Sequence, residues 1–348
     1  MLHHCRMWFS VRPSLLLPIL AAVVPLAGCG GGSSSAPAAG ASAAATTSAG
    51  TTSAARPAPA RPGARLRAST VGRLPAPVQL PAVARHGSAL LMMGGLNAAD
   101  GSVADIVRVT PGGKARLIGR LPEALHDAAA VTVGGSTLFI GGGNAGAGKD
   151  AVLRVRSDGS TTSEPSLPAG ASDVAAAAVG DTAYVVGGYT GTVPLRSIFA
   201  VRPGRKVRVV GEMPRPLRYA AVAAVDGAVL IAGGTSGVTA RREILRFDPG
   251  TGKVRVIGKL PQATTHAAGA VLGGGFYVLG GRGDGLATQR RTILAVDPRT
   301  GRARPAGRLP QALSDLSAAS FPTAVTVVGG RDAQGGVHDE ILALRAIR

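Results

Sequence analysis

The chain repeats one pattern six times, and this repetition constrains its fold more than any other feature of the sequence. A Leu-Pro or Met-Pro pair recurs, with its proline at Pro75, Pro122, Pro168, Pro214, Pro261 and Pro310. A Gly-Gly pair also recurs, beginning at Gly94, Gly141, Gly187, Gly233, Gly280 and Gly329. The proline precedes the first glycine by 19 residues in every copy, and successive prolines are 46 to 49 residues apart. A fixed period of this length is typical of solenoids and propellers.

Each repeat contains four short segments with the composition of β-strands. A run of small residues, such as DAAAVTV at 127–133, leads to a second apolar run, such as STLFI at 136–140, which ends at the Gly-Gly pair. A loop then leads to a third run, such as EILRFD at 243–248. The tight turn DPGTG at 248–252 precedes a more polar fourth run, KVRVIG at 253–258. Four evenly spaced strands with turn signals between them predict one propeller blade per repeat.

The two ends of the chain predict how the ring closes. The last repeat stops after its third strand, at EILALRAIR (340–348), whereas ARLRASTVG (64–72) has the pattern of a fourth strand without the first three. We therefore expect an all-β fold, a six-bladed β-propeller with four antiparallel strands per blade, closed by the N-terminal strand joining the C-terminal blade. The repeats are predicted at about 73–119, 120–165, 166–211, 212–258, 259–307 and 308–348, the last completed by 64–72.

These landmarks resemble kelch repeats. The shared features are the Gly-Gly after the second strand, the Asp-Pro-x-Thr-Gly turn and the Leu-Pro before the next blade, and they cover roughly residues 65–348. The chain departs from the family where kelch repeats carry Trp in the fourth strand, since Val, Ala or Thr stands there. The resemblance implies a propeller of the galactose-oxidase type. The copper chemistry of galactose oxidase itself needs a Cys–Tyr cross-link, and no Cys follows Cys29.

The first 63 residues have the composition of an export signal and a tether. Residues 1–28 contain an apolar run at 14–28 that is too short to span a bilayer and is typical of a signal peptide. The sequence Leu-Ala-Gly-Cys ending at Cys29 resembles a bacterial lipobox, which implies cleavage before Cys29 and lipidation of its thiol. An ordinary secreted protein with a chance Cys is the alternative. Residues 29–63, rich in Gly, Ser, Ala and Pro, are expected to form a disordered tether.

By this interpretation the protein is exported and held through a lipid on Cys29 at the extracytoplasmic face of the cell membrane. The chain has 38 Lys and Arg against 19 Asp and Glu, a balance that would otherwise suggest a nucleic-acid partner. Export argues against one. Basic residues recur on the predicted fourth strands, which form the outer rim: Arg116, Arg120, Arg205, Lys206, Arg208, Lys253, Arg255, Lys259, Arg302, Arg304 and Arg308. Such a rim could hold anionic envelope polymers or lipid headgroups, although Arg-rich codon usage explains it equally well.

Polar residues recur at the entrance to the first strand of each blade, where propeller loops surround the channel mouth. The fifth residues after the repeat prolines are Leu80, Asp127, Asp173, Tyr219, His266 and Asp315, and the residues just before two of them are His126 and Arg218. In one interpretation these polar side chains converge on the axis and bind a ligand. In the other, each carboxylate accepts hydrogen bonds from the backbone of its own loop. No ligand spacing indicates a metal site, and no motif indicates a cofactor or a catalytic nucleophile.

The sequence therefore predicts a monomeric, non-catalytic binding or scaffolding module. Its ligand would be an extracytoplasmic protein, a small molecule or an anionic polymer. Two alternatives remain open. One is a propeller enzyme that acts on a sugar or similar polar substrate through the Asp and His residues at the channel mouth. The other is a binder of anionic envelope polymers that uses the basic rim.

Overall fold

The computed structural model describes residues 61–144 and 147–347. The predicted signal peptide, Cys29 and nearly all of the predicted tether lie outside the described residues. The described residues form 25 β-strands in six sheets. No helix that could span a membrane occurs in the described ranges.

The strands are numbered β1 to β25 along the chain. Blade 1 contains β2 (Ala82–His86), β3 (Ala89–Met93), β4 (Asp105–Val109) and β5 (Ala115–Arg120). Blade 2 contains β6 (His126–Val133), β7 (Ser136–Asn144), the two-residue β8 (Ala147–Gly148), β9 (Val152–Val155) and β10 (Thr161–Ser163). Blade 3 contains β11 (Ala175–Val179), β12 (Thr182–Val186), β13 (Ser197–Val201) and β14 (Arg208–Glu212).

The second half of the ring has the same plan. Blade 4 contains β15 (Ala221–Val225), β16 (Ala228–Ala232), β17 (Glu243–Asp248) and β18 (Lys253–Lys259). Blade 5 contains β19 (Ala268–Leu272), β20 (Gly275–Leu279), β21 (Thr292–Val296) and β22 (Ala303–Arg308). Blade 6 contains β23 (Ser317–Ser320), β24 (Val325–Val328), β25 (Glu340–Ala346) and β1 (Leu66–Arg73).

Blade 6 joins the two ends of the described chain, as the sequence predicts. Strand β1 pairs antiparallel with β25, so that Leu66 lies opposite Ala346 and Arg73 lies opposite Glu340. The first strand of each blade contacts the first strands of both neighbouring blades, and β23 contacts β2. The predicted six-bladed propeller, with four antiparallel strands per blade and a ring closed by the N-terminal strand, is confirmed.

The core consists of six apolar layers between neighbouring blades. Each hydrophobic cluster combines side chains from two adjacent blades, for example Leu138 of blade 2 with Phe199 of blade 3. The second strand supplies much of each layer, and its residues are almost all buried. A second strand buried on both faces explains why these segments read as continuous apolar runs rather than as an alternation.

The Gly-Gly pairs allow the blades to approach one another closely. The first glycine of each pair has a positive φ of 60 to 67°. A Cβ atom at any of these six positions would lie only 2.0 to 2.4 Å from a backbone carbonyl oxygen of the next blade. Only glycine tolerates both the left-handed conformation and the close approach, which accounts for its recurrence at a fixed distance from the proline.

The antiparallel meander gives the ring two different faces. The loops that connect blades, and the loops between second and third strands, lie at one end of the channel, which we call the mouth face. The turns between first and second strands and between third and fourth strands lie at the opposite end, the turn face. Because every blade has the same strand order, all six blades contribute equivalent loops to each face.

Candidate functional site

Six equivalent residues form a ring at the channel mouth. This mouth ring consists of Leu80, Asp127, Asp173, Tyr219, His266 and Asp315. All six adopt a left-handed conformation with φ between 54 and 61°, although none is a glycine. Left-handed backbone costs a non-glycine residue about 1–2 kcal/mol, and such strain is concentrated at functional sites. Here it turns the chain sharply from the loop between blades into the first strand.

Backbone hydrogen bonds connect the mouth ring from blade to blade. The N–H groups of Leu80, Asp127, Tyr219, His266 and Asp315 each donate to the carbonyl of the ring residue in the preceding blade, over 2.7 to 3.3 Å. The residue before a ring position also forms a β-bridge with the loop after the Gly-Gly pair, as Arg218 does with Thr235. Ring and loops are therefore held as one rigid rim.

The mouth ring encloses a cavity of about 150 Å³, which all six of its side chains line. Deeper in the channel the walls are mostly Ala, Val and Gly, and they surround about 460 Å³ that extends toward the turn face. The small residues of the first strands, which the repeats show as Ala-rich runs, thus leave an open axis. The carboxylates line its mouth, whereas Arg85, Thr132 and Ser320 line it toward the turn face.

The three carboxylates of the ring are almost completely buried, with relative exposures of 9% for Asp127, 5% for Asp173 and 8% for Asp315. Burial raises the pKa of all three, and the negative charges of Asp173 and Asp315 raise the pKa of Asp127 further. Tyr219 Oη donates to Asp127 Oδ2 over 3.2 Å, and Ser314 Oγ donates to Asp315 Oδ2. Among the described residues, no Lys or Arg forms an ion pair with either carboxylate, although the more distant charges of Arg218 on Asp127, and of Arg282 and Arg331 on Asp315, act to lower their pKa.

Asp173 has a different environment because Arg218 lies behind it. Arg218 Nη2 is 2.5 Å from Asp173 Oδ2, and the guanidinium also stacks 4.2 Å above the ring of Tyr189. Burial opposes the charge of Arg218, but the carboxylate of Asp173 raises its pKa overall. Arg218 therefore neutralises the charge of Asp173 and leaves Asp127 and Asp315 without such an ion pair.

Tyr219 and His266 form the aromatic side of the cavity. Their rings stack with centroids 3.7 Å apart and an interplanar angle of 22°. Burial, together with the charges of Arg282 and Arg218, lowers the pKa of His266 to about 2, so that its imidazole is neutral. Arg282 Nη2 lies 3.2 Å from His266 Nε2, and because arginine can only donate, Nε2 is the acceptor and Nδ1 carries the proton. Burial raises the pKa of the Tyr219 hydroxyl, which remains a donor.

The seven residues that the sequence predicts for the site lie in two groups in the structure, one that lines the cavity and one behind it. Asp127, Asp173, Tyr219, His266 and Asp315 line the cavity. Arg218 and His126 stand behind it. His126 Nδ1 is 2.8 Å from Ser102 Oγ, its Nε2 is 3.7 Å from Asp127 Oδ2, and burial lowers its pKa.

Sequence reasoning missed the contribution of Arg282 to this site. Arg282 is the second residue after the first glycine of its Gly-Gly pair, the position that Tyr189 occupies two blades earlier. Comparison of the six blades at that position would have linked Arg282 to the site. The signal in the sequence is that Tyr189 and Arg282 lie at the same distance from the Gly-Gly pair of their own repeats.

The recurring Asp residues of the mouth ring do not cap the turns of their own loops. Among the described residues, no backbone N–H donates to the carboxylates of Asp127, Asp173 or Asp315. Other Asp residues do cap their own turns: Asp158 and Asp297 on the turn face, and Asp332 in a mouth-face loop, accept backbone N–H groups. The mouth-ring carboxylates are thus directed into the channel.

The arginines of the last loops have structural partners. Arg242 Nε donates to the Leu260 carbonyl and Arg291 Nε to the Leu309 carbonyl, each across to the loop that leads into the next blade. Arg290 Nη1 donates to the Ala263 carbonyl over 2.7 Å. Within the ranges that the structure describes, no group of three His, Cys, Asp or Glu side chains has the arrangement of a metal site.

Comparison with known proteins agrees with this architecture. A Kelch motif matches residues 216–261, which comprise blade 4 and the loops at its ends. No curated protein matches the chain. The solved structure of YjhT superposes with a TM-score of 0.68 at 13% identity, covering 80% of this chain and 100% of that one. At this identity the likeness shows the fold alone. A kelch propeller suggests, in general, a binding or scaffold role. The chain is therefore a six-bladed β-propeller in which one blade matches the Kelch motif and every repeat carries the same landmarks.

Proposed function

We propose that the protein is a membrane-anchored binding module that takes a small amine at the channel mouth. The observation that supports this most directly is the presence of two buried carboxylates, Asp127 and Asp315, that have hydroxyl partners and, among the described residues, no ion pair with Lys or Arg. An ammonium group placed in the cavity would offset their mutual repulsion and donate to both. Hydrogen bonds that involve charged groups contribute about 1.5–3 kcal/mol each.

The size of the cavity favours a small molecule over a protein ligand. The carboxylates are recessed among first-strand residues in a space of about 150 Å³, which a protein side chain or a small solute could enter but a folded surface could not. The stacked Tyr219 and His266 offer an apolar wall for the carbon skeleton of such a ligand. The rigid backbone of the rim means that little ordering accompanies binding.

Protonation should be linked to this binding. Because burial and neighbouring negative charge raise the pKa of Asp127, the free site favours its neutral form, whereas a bound ammonium favours the carboxylate. Amine binding should therefore release protons and strengthen as the pH rises, until Asp127 is ionised in the free protein or the amine loses its proton.

Calorimetric titration of the purified full chain tests this proposal. The probes are ethanolamine, putrescine and glucosamine, with ethylene glycol and glucose as matched uncharged compounds. Binding of at least one amine should weaken about 10- to 100-fold in Asp127→Asn. The control Asp150→Asn, an exposed acid on the same face, should leave binding unchanged. Equal binding of the polyols, or an Asp127→Asn protein that binds amines normally, would contradict the proposal.

The membrane anchor is part of the same proposal. It is supported by the apolar run at 14–28, the lipobox-like sequence that ends at Cys29 and the polar composition of 30–63. In a bacterial host, the protein should stay with membranes that are washed in high salt, and Cys29→Ser should be released by the same wash. Membrane retention of Cys29→Ser in high salt would contradict the lipid anchor.

Catalysis is a second candidate because Asp127 has the raised pKa of a general acid and contacts a tyrosine hydroxyl. An enzyme would turn over sugars or similar polar substrates and lose this activity in Asp127→Asn. Binding without turnover across a panel of such compounds distinguishes the binding module from the enzyme.

A further inference from the structure

The turn face carries an excess of exposed positive charge. Its exposed basic residues are Arg61, Arg65, Arg85, Lys114, Arg156, Arg202, Arg205, Lys206, Lys253, Arg299, Arg302 and Arg345. Its acids among the described residues are Asp158, Asp181, Asp226, Asp248 and Asp297. On the mouth face, by contrast, basic and acidic residues are close to equal in number. The net positive charge of the propeller is therefore displaced away from the proposed ligand site.

Ion pairing increases this difference between the two faces. Many mouth-face bases have an acidic partner: Arg73 with Asp339, Arg120 with Asp105, Lys149 with Glu123, Arg196 with Glu212, Arg218 with Asp173, and Arg331 with Asp100. On the turn face, the one ion pair among the described residues joins Arg202 to Asp181. Three of its acids accept backbone N–H groups of their own turns, and this hydrogen bonding lowers the pKa of Asp158 and Asp297. The basic side chains of this face are thus left available to an external partner.

The chain enters the propeller at the same face. Arg304 Nη2 donates to the Gly63 carbonyl over 2.6 Å, and Tyr277 Oη donates to the Ala64 carbonyl over 2.9 Å. The fit is close, since a Cβ atom on Gly275 would lie 2.5 Å from the Gly63 nitrogen. Residues 61–64 are therefore fastened to the turn face beside blade 5, and the chain that leads back to Cys29 starts there.

We propose that the turn face docks on a membrane surface rich in anionic lipid headgroups, so that the mouth ring points away from the membrane. This inference rests on the proposed function in one respect, the lipid anchor. The charge distribution on the turn face does not depend on that anchor. Basic residues near an anionic bilayer are attracted within about a Debye length, roughly 8 Å at physiological salt. The chain that leads toward Cys29 leaves the propeller at this face, beside blade 5.

Vesicle sedimentation tests the docking separately from the anchor. The full chain with Cys29→Ser is mixed with phosphatidylcholine vesicles, with and without phosphatidylglycerol. The test variant adds Arg205→Glu, Lys206→Glu and Arg299→Glu, whose side chains are exposed and have no hydrogen-bond partner among the described residues. The matched control adds Arg215→Glu, Lys259→Glu and Arg308→Glu, which change the net charge equally but lie on the mouth face.

We expect binding to the phosphatidylglycerol vesicles alone, weakened at least about tenfold by the turn-face variant and by less than about threefold by the control. Equal loss in both variants would mean that net charge, not this face, governs attraction, and would overturn the proposal. Absence of binding to anionic vesicles would also overturn it. Equally tight binding of a soluble polyanion, polyglutamate, at the same charge concentration would overturn it too, since the turn face would then be a polymer-binding surface. Asp127→Asn should leave vesicle binding unchanged, which separates failure here from failure of the amine site.

Discussion

At the scale of single residues, the mouth ring departs from what stability alone would favour. Three carboxylates are buried near one another, and six non-glycine residues have left-handed backbone. Each of these features costs free energy of folding. The left-handed turn recurs in all six blades and belongs to the architecture, whereas a carboxylate is not needed there, because Leu80 occupies the same position in blade 1. Unfavourable local energies held in place by a rigid scaffold are typical of binding sites. This contrast supports a functional role for the ring more strongly than its polarity does.

The raised pKa of Asp127 predicts an unusual effect of Asp127→Asn on stability. A raised pKa in the folded state contributes stability at low pH that is lost as the pH rises through the folded pKa. Asn cannot ionise, so the variant should be more stable than the original protein at neutral pH. The difference should shrink as the pH falls toward the ordinary aspartate pKa of about 3.9. Urea unfolding of both proteins across this pH range measures it, and a variant that is less stable at neutral pH would contradict the prediction.

At the scale of the element, the blade is defined by contacts with its neighbours more than by its own strands. The apolar layers each combine two blades, and the Gly-Gly pair admits the carbonyl of the next blade. The fourth strands meet in a related way, since a Cβ atom on Gly258 would lie 2.4 Å from the Gly301 carbonyl oxygen. These glycines, unlike turn glycines such as Gly180, therefore mark places where one blade touches the next.

Alanine substitution at two glycines of blade 3 separates backbone conformation from close contact. Gly180 and Gly187 both have φ of 60°, but a Cβ atom would meet nothing within 4 Å at Gly180 and would lie 2.0 Å from the Leu217 carbonyl oxygen at Gly187. Gly180→Ala should destabilise by about 1 kcal/mol, the cost of left-handed alanine. Gly187→Ala should cost at least about 3 kcal/mol, because the blades must also move apart. Chemical denaturation measures both, and similar losses would mean that the interblade contact can relax.

At the scale of the whole molecule, the two ends of the propeller stabilise each other through blade 6. Strand β1 covers the edge of β25 along its length, and Leu66 is only 2% exposed. Without β1 the ring would lack an outer strand and expose a long unpaired edge, which is a template for aggregation. Closure therefore links residues that are more than 270 positions apart.

Removal of β1 should cost much more than removal of the chain before it. A protein that starts at residue 61 should melt at the temperature of the full chain, whereas one that starts at residue 74 should lose more than about 5 kcal/mol, a large part of the 5–15 kcal/mol typical of a domain. Circular dichroism melting and limited proteolysis compare them. Equal stability of the two truncated proteins would show that β1 is not needed for closure.

The sequence by itself determined the number of blades, their register and the closure of the ring. It could do so because strand period, turn chemistry and interblade glycine are local requirements that recur at a fixed spacing. It also placed Asp127, Asp173 and Asp315 at equivalent positions. Only the tertiary structure decided what surrounds each one: hydroxyl partners for Asp127 and Asp315, Arg218 for Asp173, and Arg282 against His266. The difference in net charge between the mouth face and the turn face likewise follows from the tertiary structure alone. Side chains from distant repeats meet there, and their burial and pairing depend on distances across the ring that a repeat pattern does not encode.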